Sequence, residues 1–467
     1  MSSKKGGDPR GGGGGGVEDD DFDDDDSLED LSEESGVQLG TVVAIEGPPE
    51  TVLFRNTDWH GWDGGKAGGW PVWLNPRDLP SPEDMRCGEC AHPLSFLVQL
   101  YCPLDHEDDA FHRCLYVFCC PKATCSKNSS VKALRCQLPR ENSFYPYDPE
   151  VETRTPDENE VKQQAGADPA VWRVQLCWVC GQLAKSACSK CKNARYCGRE
   201  HQTQHWKHGG HKKACSAGSL PENSGSAPSV GSGSAQSVKC AAAPKYAVGP
   251  AQAGTTTSVF REFEVDVRPE PPPPPVAPDG RTAEDTLVGK MDMGGADSDD
   301  MEEDEDSKLS QAELDKIAGV HGVKDKVTLQ FLTRTQTNPQ VVRYDAAGAG
   351  PLWSSGKDVP QDADVPPCER CGHARKFEFQ VMPHLLYHLG VEENTKALDP
   401  KASTNRGGGA APPTGDCMDW GTLAVYTCPN SCPTILEKSS GGSGDGQEGE
   451  KQTAGYIQEF VWRQPPP

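Results

Sequence analysis

Residues 177–215 read CWVCGQLAKSACSKCKNARYCGREHQTQHWKHGGHKKAC, and no other stretch limits the possible structures so sharply. Cys177/Cys180 and Cys188/Cys191 are C-x-x-C pairs, Cys197/His201 is a C-x-x-x-H pair and His211/Cys215 an H-x-x-x-C pair. Four such pairs suffice for two closed, four-coordinate zinc sites. A segment this short has no apolar core to fold around, so the metal must supply the folding free energy. With every position taken by a protein side chain, these zincs read as structural. His205 and His208 are spare, and are expected to face solvent.

A second cysteine pattern is repeated. CGECAHPLSFLVQL (87–100) and CERCGHARKFEFQV (368–381) superpose on a shift of 281 residues, pairing Cys87 with Cys368, Cys90 with Cys371, Phe96 with Phe377 and Gln99 with Gln380. Further on, LYVFCCPKATC (115–125) matches LAVYTCPNSC (423–432), and upstream GGWPVW (68–73) echoes GAGPLW (348–353). Each half thus runs tryptophan, C-x-x-C, strand, strand, then two more cysteines. Ligands on a tight turn and at the end of a later strand can converge on one tetrahedral zinc. The first half offers Cys87, Cys90, Cys120 and Cys125, with Cys119 competing for the third place; the second offers Cys368, Cys371, Cys428 and Cys432. A thioredoxin-like redox reading needs a βαβ setting, and no helical pattern follows either C-x-x-C.

Charge is concentrated. Residues 17–34 hold twelve Asp/Glu and residues 297–306 hold eight; without those twenty the net charge of −24 falls to −4. Acidity therefore belongs to two tracts rather than to the fold. No apolar run is long enough to span a membrane, and the first residues carry no apolar signal core. In a reducing compartment, clustered cysteines read as metal ligands before disulfides.

Composition divides the chain into a Gly-rich and acidic tail (1–36), a strand-rich first half (37–150), the Cys/His segment (171–216), a linker of largely disordered composition (217–308) and a second half (309–467). Within the linker, VFREFEVDV (259–267) alternates as a short strand able to join a sheet. KLSQAELDKIAG (308–319) reads as a helix with Ser310 as N-cap and Glu313 at capping-box spacing. Strands are expected at TVVAIEG (41–47), SFLVQLY (95–101), CLYVFC (114–119), VTLQFLTRTQ (327–336), QVVRYD (340–345), KFEFQVM (376–382), TLAVYTC (422–428) and YIQEFVW (456–462). The fold class is mainly β: one strand-rich domain of two related halves with an inserted zinc finger.

The 177–215 segment, with Tyr196 before Cys197 and Trp206 before the last ligand pair, resembles a MYND-type zinc finger. The resemblance implies interleaved sites: Cys177, Cys180, Cys197 and His201 on one ion, and Cys188, Cys191, His211 and Cys215 on the other. His201 stands where the pattern usually has cysteine. Taken with LSFLVQLYCPL (94–104), FHRCLYVFCC (111–120), QLPRENSFYPY (137–147), FREFEV (260–265), KFEFQVMPHLL (376–386), DWGTLAVYTC (419–428) and EFVWRQ (459–464), the chain is similar to the programmed cell death protein 2 family. That resemblance implies a non-enzymatic chaperone in cytoplasm and nucleus. Its partner would be a small-subunit ribosomal protein, the relative of bacterial ribosomal protein S-five, escorted toward pre-ribosomal particles.

Other function classes fit less well. The finger carries eight Lys/Arg against Glu200 alone, yet the segment has no DNA-reading helix of the two-Cys two-His kind and the chain as a whole repels polyanions. Sequence-specific DNA binding is not expected. MYND fingers accompany some lysine methyltransferases, but the cofactor motifs of that class are missing, as are nucleotide-binding, zinc-protease and serine-hydrolase signatures. A transcriptional co-regulator binding peptides through the finger is the alternative. Acidic tracts could shield a basic client, and a strand-rich scaffold could capture a client segment by edge pairing.

Overall fold

A computed structural model of the chain describes residues 36–43, 65–145, 172–217, 259–271, 326–345, 348–389, 391, 418–433 and 455–467. Both acidic tracts, the helix expected at 308–319 and residues 44–47 lie outside the described residues.

Ten strands close into one barrel. The first half supplies β1 (Val37–Val43), β2 (Gly65–Ala67), β3 (Ser95–Tyr101), β4 (His112–Cys119) and β5 (Val131–Leu138). The finger contributes the short hairpin β6 (Ser186–Ala187) and β7 (Arg195–Tyr196). The strand expected in the linker is β8 (Phe263–Pro269), which serves as the first strand of the second half, and 309–467 supplies β9 (Val342–Asp345), β10 (Lys376–Val381), β11 (Thr422–Thr427) and β12 (Ile457–Gln464). Around the barrel the order is β1-β8-β2-β3-β4-β5-β12-β11-β10-β9 and back to β1. The first strand of each half has crossed over: β1 lies beside β9, and β8 lies beside β2. The halves also meet at β5–β12 and at β1–β8. Among the described residues the barrel has no terminal strand to offer for edge pairing.

The repeat seen in sequence is a repeat in structure. Pairing of β3 with β4 shifts register between Phe96 and Val98, and pairing of β10 with β11 shifts between Phe377 and Phe379. These two bulges fall at superposed positions. Each is followed by a buried glutamine that clamps a backbone with both ends of its amide. The Gln99 oxygen accepts from Val72 N at 2.8 Å while its amide donates to Val72 O, and Gln380 does the same for Leu352 at 2.6 and 2.8 Å. Val72 and Leu352 are themselves superposed in the GGWPVW/GAGPLW echo.

Strand alternation sorts side chains into two layers. Leu97, Val98, Leu115, Val117, Phe379, Val425 and Val461 point into the barrel. Phe96, Tyr116, Phe118 and Leu134 point out, beneath Trp73, Leu74 and Phe144. One end of the lumen is charged. Arg113 grips Glu378 with two bonds of 2.6 and 2.7 Å. Glu459 accepts from Arg135 at 2.8 Å and from Arg375 at 2.9 Å. Two of these three links join first half to second.

Two expected elements differ. The strand expected at 327–336 is a helix; α1 (Arg199–Lys207) and α2 (His211–Ala217) belong to the finger, and this is α3 (Lys326–Thr337). Valine and threonine content favours a strand, but the closed barrel has no place for one. Buried Thr328, Phe331 and Thr335 follow helical spacing instead. Thr333 and Thr335 donate their hydroxyls to the carbonyls of Leu329 and Phe331 one turn back, which satisfies the hydroxyls within the helix. The strand expected from Thr41 begins at Val37 and runs through Gly40, where a Cβ would meet Val265 Cγ1 at 2.8 Å. Strand β5 escaped the alternation rule because its pattern is buried almost throughout, Arg135 and Gln137 included. A last helix, α4 (His384–Leu389), packs Leu385 and Leu389 into the core. No helix among the described residues is long and apolar enough to cross a membrane.

Replacing Glu459 by glutamine leaves Arg135 and Arg375 buried without their counter-charge. Urea unfolding should show a loss of about 3–5 kcal/mol, and a variant as stable as the parent would remove the lumen network from the account of stability.

Candidate metal centres

Four turns of one shape carry the C-x-x-C pairs. In each, the amide four residues after the first cysteine donates back to that cysteine's carbonyl: Ala91 to Cys87 at 2.9 Å, Gly181 to Cys177 at 3.0 Å, Lys192 to Cys188 at 3.0 Å and Gly372 to Cys368 at 2.8 Å. That returning residue is left-handed each time, with φ of 55°, 67°, 61° and 73°. The first cysteine's own amide donates forward, to the carbonyls of His92, Gln182, Ala194 and His373. The turn holds both sulfurs on one side of a tight loop. Glycine meets its backbone requirement at no cost, whereas Ala91 and Lys192 sit there against a preference of about 1–2 kcal/mol.

Each turn meets its second ligand pair. Cys87, Cys90, Cys120 and Cys125 have their ligand atoms mutually within 4.8 Å, as do Cys177, Cys180, Cys197 and His201; Cys188, Cys191, His211 and Cys215; and Cys368, Cys371, Cys428 and Cys432. Sulfur–sulfur distances are 3.7 Å for Cys90–Cys120, 3.8 Å for Cys180–Cys197, 3.9 Å for Cys188–Cys215, 3.5 Å for Cys371–Cys428 and 3.6 Å for Cys428–Cys432. Disulfides would need about 2.0 Å. A tetrahedron built on zinc–sulfur bonds of about 2.3 Å has edges of about 3.8 Å. The histidine edges are 3.1 Å from His201 Nδ1 to Cys197 Sγ, 3.6 Å from His201 Nδ1 to Cys177 Sγ and 3.8 Å from His211 Nε2 to Cys191 Sγ.

Charge chemistry asks for a cation in the same places. Burial works against the Cys177 thiolate, but its neighbours Cys180, Cys197 and His201 outweigh that and hold the thiol well below its ordinary value. Burial and the charge of Cys177 then push Cys180 up. In the second finger cluster burial likewise opposes ionisation of Cys188, and His211 with the local backbone amides brings it down to about 6. Cys215, by burial and by the neighbouring Cys188, goes up to about 11. Thiolates this close repel, and a divalent cation is what lets a whole set ionise together. Donor type, spacing and electrostatics all fit zinc.

Strand pleat decides between Cys119 and Cys120. Cys119 points into the barrel against Met418 Sδ at 3.6 Å, and Cys120 emerges on the opposite side with Cys90. The other described cysteines outside the clusters, Cys102, Cys114 and Cys136, are buried core side chains. His208 is exposed as expected, but His205 is not. It is buried between Trp178, whose ring stacks on it at 6.0 Å, and Tyr196, whose hydroxyl lies 3.0 Å from Nδ1. With so few apolar residues, the finger uses this imidazole as a flat core piece. Burial lowers its pKa to about 4, which keeps it neutral.

The half-domain centres are braced across the barrel. Arg135 of β5 donates to Cys432 O at 3.0 Å and Gln137 to Ser431 O at 2.9 Å. Arg463 of β12 donates to Cys125 O at 2.6 Å. The last strand of each half thus holds the metal loop of the other. The finger is fastened to the first half alone among these contacts. Trp70 and Trp73 donate their indole N–H to Val179 O and Gly181 O, both at 2.8 Å, and Gln182 donates to Leu94 O at 2.6 Å. A Cβ on Gly181 would sit 2.7 Å from the Trp70 ring. Arg86–Glu200 and Lys185–Glu83 add exposed ion pairs. The GGWPVW motif carries this tryptophan clamp, and its one signal in the sequence is the echo with GAGPLW.

Three family patterns match the chain: "Programmed cell death protein 2, N-terminal domain" over residues 57–152, "MYND finger" over 177–215, and "Programmed cell death protein 2, C-terminal putative domain" over 325–465. Programmed cell death protein 2 of mouse is 34% identical over 400 residues, covering 85% of this chain and 90% of that protein. The rat protein is 33% identical over 402 residues with the same coverage. A chicken programmed cell death protein 2-like is 25% identical over 395 residues, or 80% of this chain and 86% of that one. No solved structure matches the chain significantly. The chain belongs to the programmed cell death protein 2 family and carries a MYND finger.

Cys120→Ser should reduce the zinc that co-purifies with the protein and lower its melting temperature, whereas Cys119→Ser should retain full zinc. Equal zinc content in the two variants would undo the assignment of Cys120.

Proposed function

We propose that this member of the programmed cell death protein 2 family is a non-enzymatic escort for one small-subunit ribosomal protein, the relative of bacterial ribosomal protein S-five. It keeps that protein soluble and delivers it to pre-ribosomal particles, moving between cytoplasm and nucleus. The observation that supports this reading best is the way the Cys/His clusters are built. Each of the four sets is completed by protein side chains, so a bound zinc would keep no open position for substrate or activated water. The metals then act as staples: two in the finger, held by Cys177/Cys180/Cys197/His201 and Cys188/Cys191/His211/Cys215, and one in each half. What they staple is a scaffold whose halves cannot separate without breaking buried ion pairs.

A ribosomal protein before assembly is basic and exposes surface meant for RNA. The acidic tracts at 17–34 and 297–306 complement such a partner, screened beyond about 8 Å at physiological salt. A second reading, an adaptor that binds peptides through the finger, is favoured by one observation. The clamp occupies the Cys177 turn, which leaves Lys190, Lys192, Lys212 and Lys213 exposed around the second cluster.

Affinity purification from growing cells should recover one stoichiometric basic ribosomal protein. Recovery of a corepressor or histones without it would favour the adaptor. Metal analysis of the intact chain should give about four zincs per molecule; two would leave the half-domain centres without support. Transfer from a labelled methyl donor to histone substrates should stay at background, and turnover would overturn the non-enzymatic assignment.

A further inference from the structure

The two halves present equivalent outer faces, and among the described residues only the first is covered. On the first half, Phe96 and Phe118 point outward with ring centroids 5.6 Å apart at 63°, and are 2% and 0% exposed. Trp73 stacks on Phe118 at 5.9 Å, and the finger's Cys177 turn seats on Trp73 and Trp70. The repeat puts Phe377 and Tyr426 at the corresponding places, with centroids 5.9 Å apart at 67°. Both are only half-buried.

The counterpart of Trp73 is Trp353, positioned by the Gln380 clamp on Leu352. It too is half-buried, and among the described residues its indole N–H donates to nothing, where Trp73 donates to Gly181 O. Strand β12 extends the apolar surface. The Phe460 ring lies 6.0 Å from Tyr426, and Trp462 stands two residues on along the same pleat.

The rim of this face is acidic. Trp462 donates its indole N–H to Asp358 O at 2.8 Å, which lays the 357–364 segment against the aromatics. Asp358, Asp362 and Asp364 are exposed on that segment, and Lys357 is its single cation. Lys376 neighbours Phe377 but lies on the opposite pleat. Asp362 is close enough to act on Tyr426: burial and then the Asp362 charge push that phenol up to about 12.

We propose that the face formed by Phe377, Tyr426, Phe460 and Trp462, with Trp353 at its margin, docks a basic segment of a protein partner, rich in arginine with aliphatic residues between. Guanidinium groups stack on aromatic rings and pair with carboxylates. Aliphatic side chains cover the apolar stripe, and Trp353 offers its N–H to a main-chain carbonyl as Trp73 does to the finger. A polyanion is repelled by the same aspartates. Identifying the segment's source as the ribosomal client rests on the escort reading above; the face itself does not.

The test uses the full-length, zinc-loaded protein and two probes, a fluorescein-labelled peptide alternating arginine and leucine, and the purified ribosomal protein. Asp362→Lys should weaken both by about tenfold at low ionic strength, with the loss shrinking as salt rises. Phe460→Ser should weaken both by about tenfold at every salt concentration. Asp105→Lys, an equal charge change at an exposed site on the first half, should change neither. Unaltered zinc content and melting temperature show that each variant is folded. If the parent binds the ribosomal protein and the face variants bind it equally well, the face is wrong and the escort reading stands. If the parent binds the peptide at this face but not the ribosomal protein, the face stands and the escort reading falls. A loss in Asp105→Lys equal to that in Asp362→Lys would reduce the effect to overall charge and overturn the proposal.

Discussion

Several thiols gathered within one tetrahedral radius cannot all ionise unless a cation sits among them. The architecture follows from meeting that condition four times. Each C-x-x-C turn bonds back on itself through the amide of Ala91, Gly181, Lys192 or Gly372, but it offers two ligands only. The other two must come from elsewhere: a strand end and loop in each half, and a hairpin and helices in the finger. Each set thus gathers residues from separate segments, and in the two halves Cys120 and Cys428 lie just past the ends of β4 and β11.

The halves are related by repeat but are not independent. Crossing of β1 and β8 puts the first strand of each half inside the other's sheet. Arg135 and Arg463 carry the interdependence to the metal loops, since each supports the carbonyl of the opposite half's last ligand. Buried arginines are costly unless fully paired. Placing Arg113 on Glu378, and Arg135 with Arg375 on Glu459, makes correct assembly of the two halves the condition for meeting that cost. Among the described residues the barrel so closed leaves no terminal strand.

The placement of the finger makes the surface of the repeated halves asymmetric. The finger enters the chain after β5 and folds back on the tryptophans of the first half, covering Phe96 and Phe118. The second half keeps the same bulge, the same glutamine clamp and the same aromatic pair, without that cover among the described residues. Half-buried aromatics beside exposed aspartates are what remains on the uncovered side.

Much of this was legible from residue type and spacing. The sixteen candidate Cys/His side chains gather in four sets, and their local spacing is legible because metal geometry restricts it so tightly that C-x-x-C and C-x-x-x-H pairs stand out unaided. The strands at 95–101, 114–119, 376–382 and 422–428 were readable from their apolar and β-branched content, and the superposition of the halves from their shared cysteines. Three-dimensional closure decided the rest. Cys120 rather than Cys119 is a matter of which side of the pleat leaves the barrel. Residues 326–337 are helical because the closed sheet has no vacancy, and His205 is buried because the finger has little else to pack between Trp178 and Tyr196. The exchange of first strands, and the pairing of each half's arginine with the other's metal loop, arise between residues hundreds of positions apart. Local pattern reports the chemistry of neighbours; which distant partner satisfies a buried charge is settled only when the whole barrel closes.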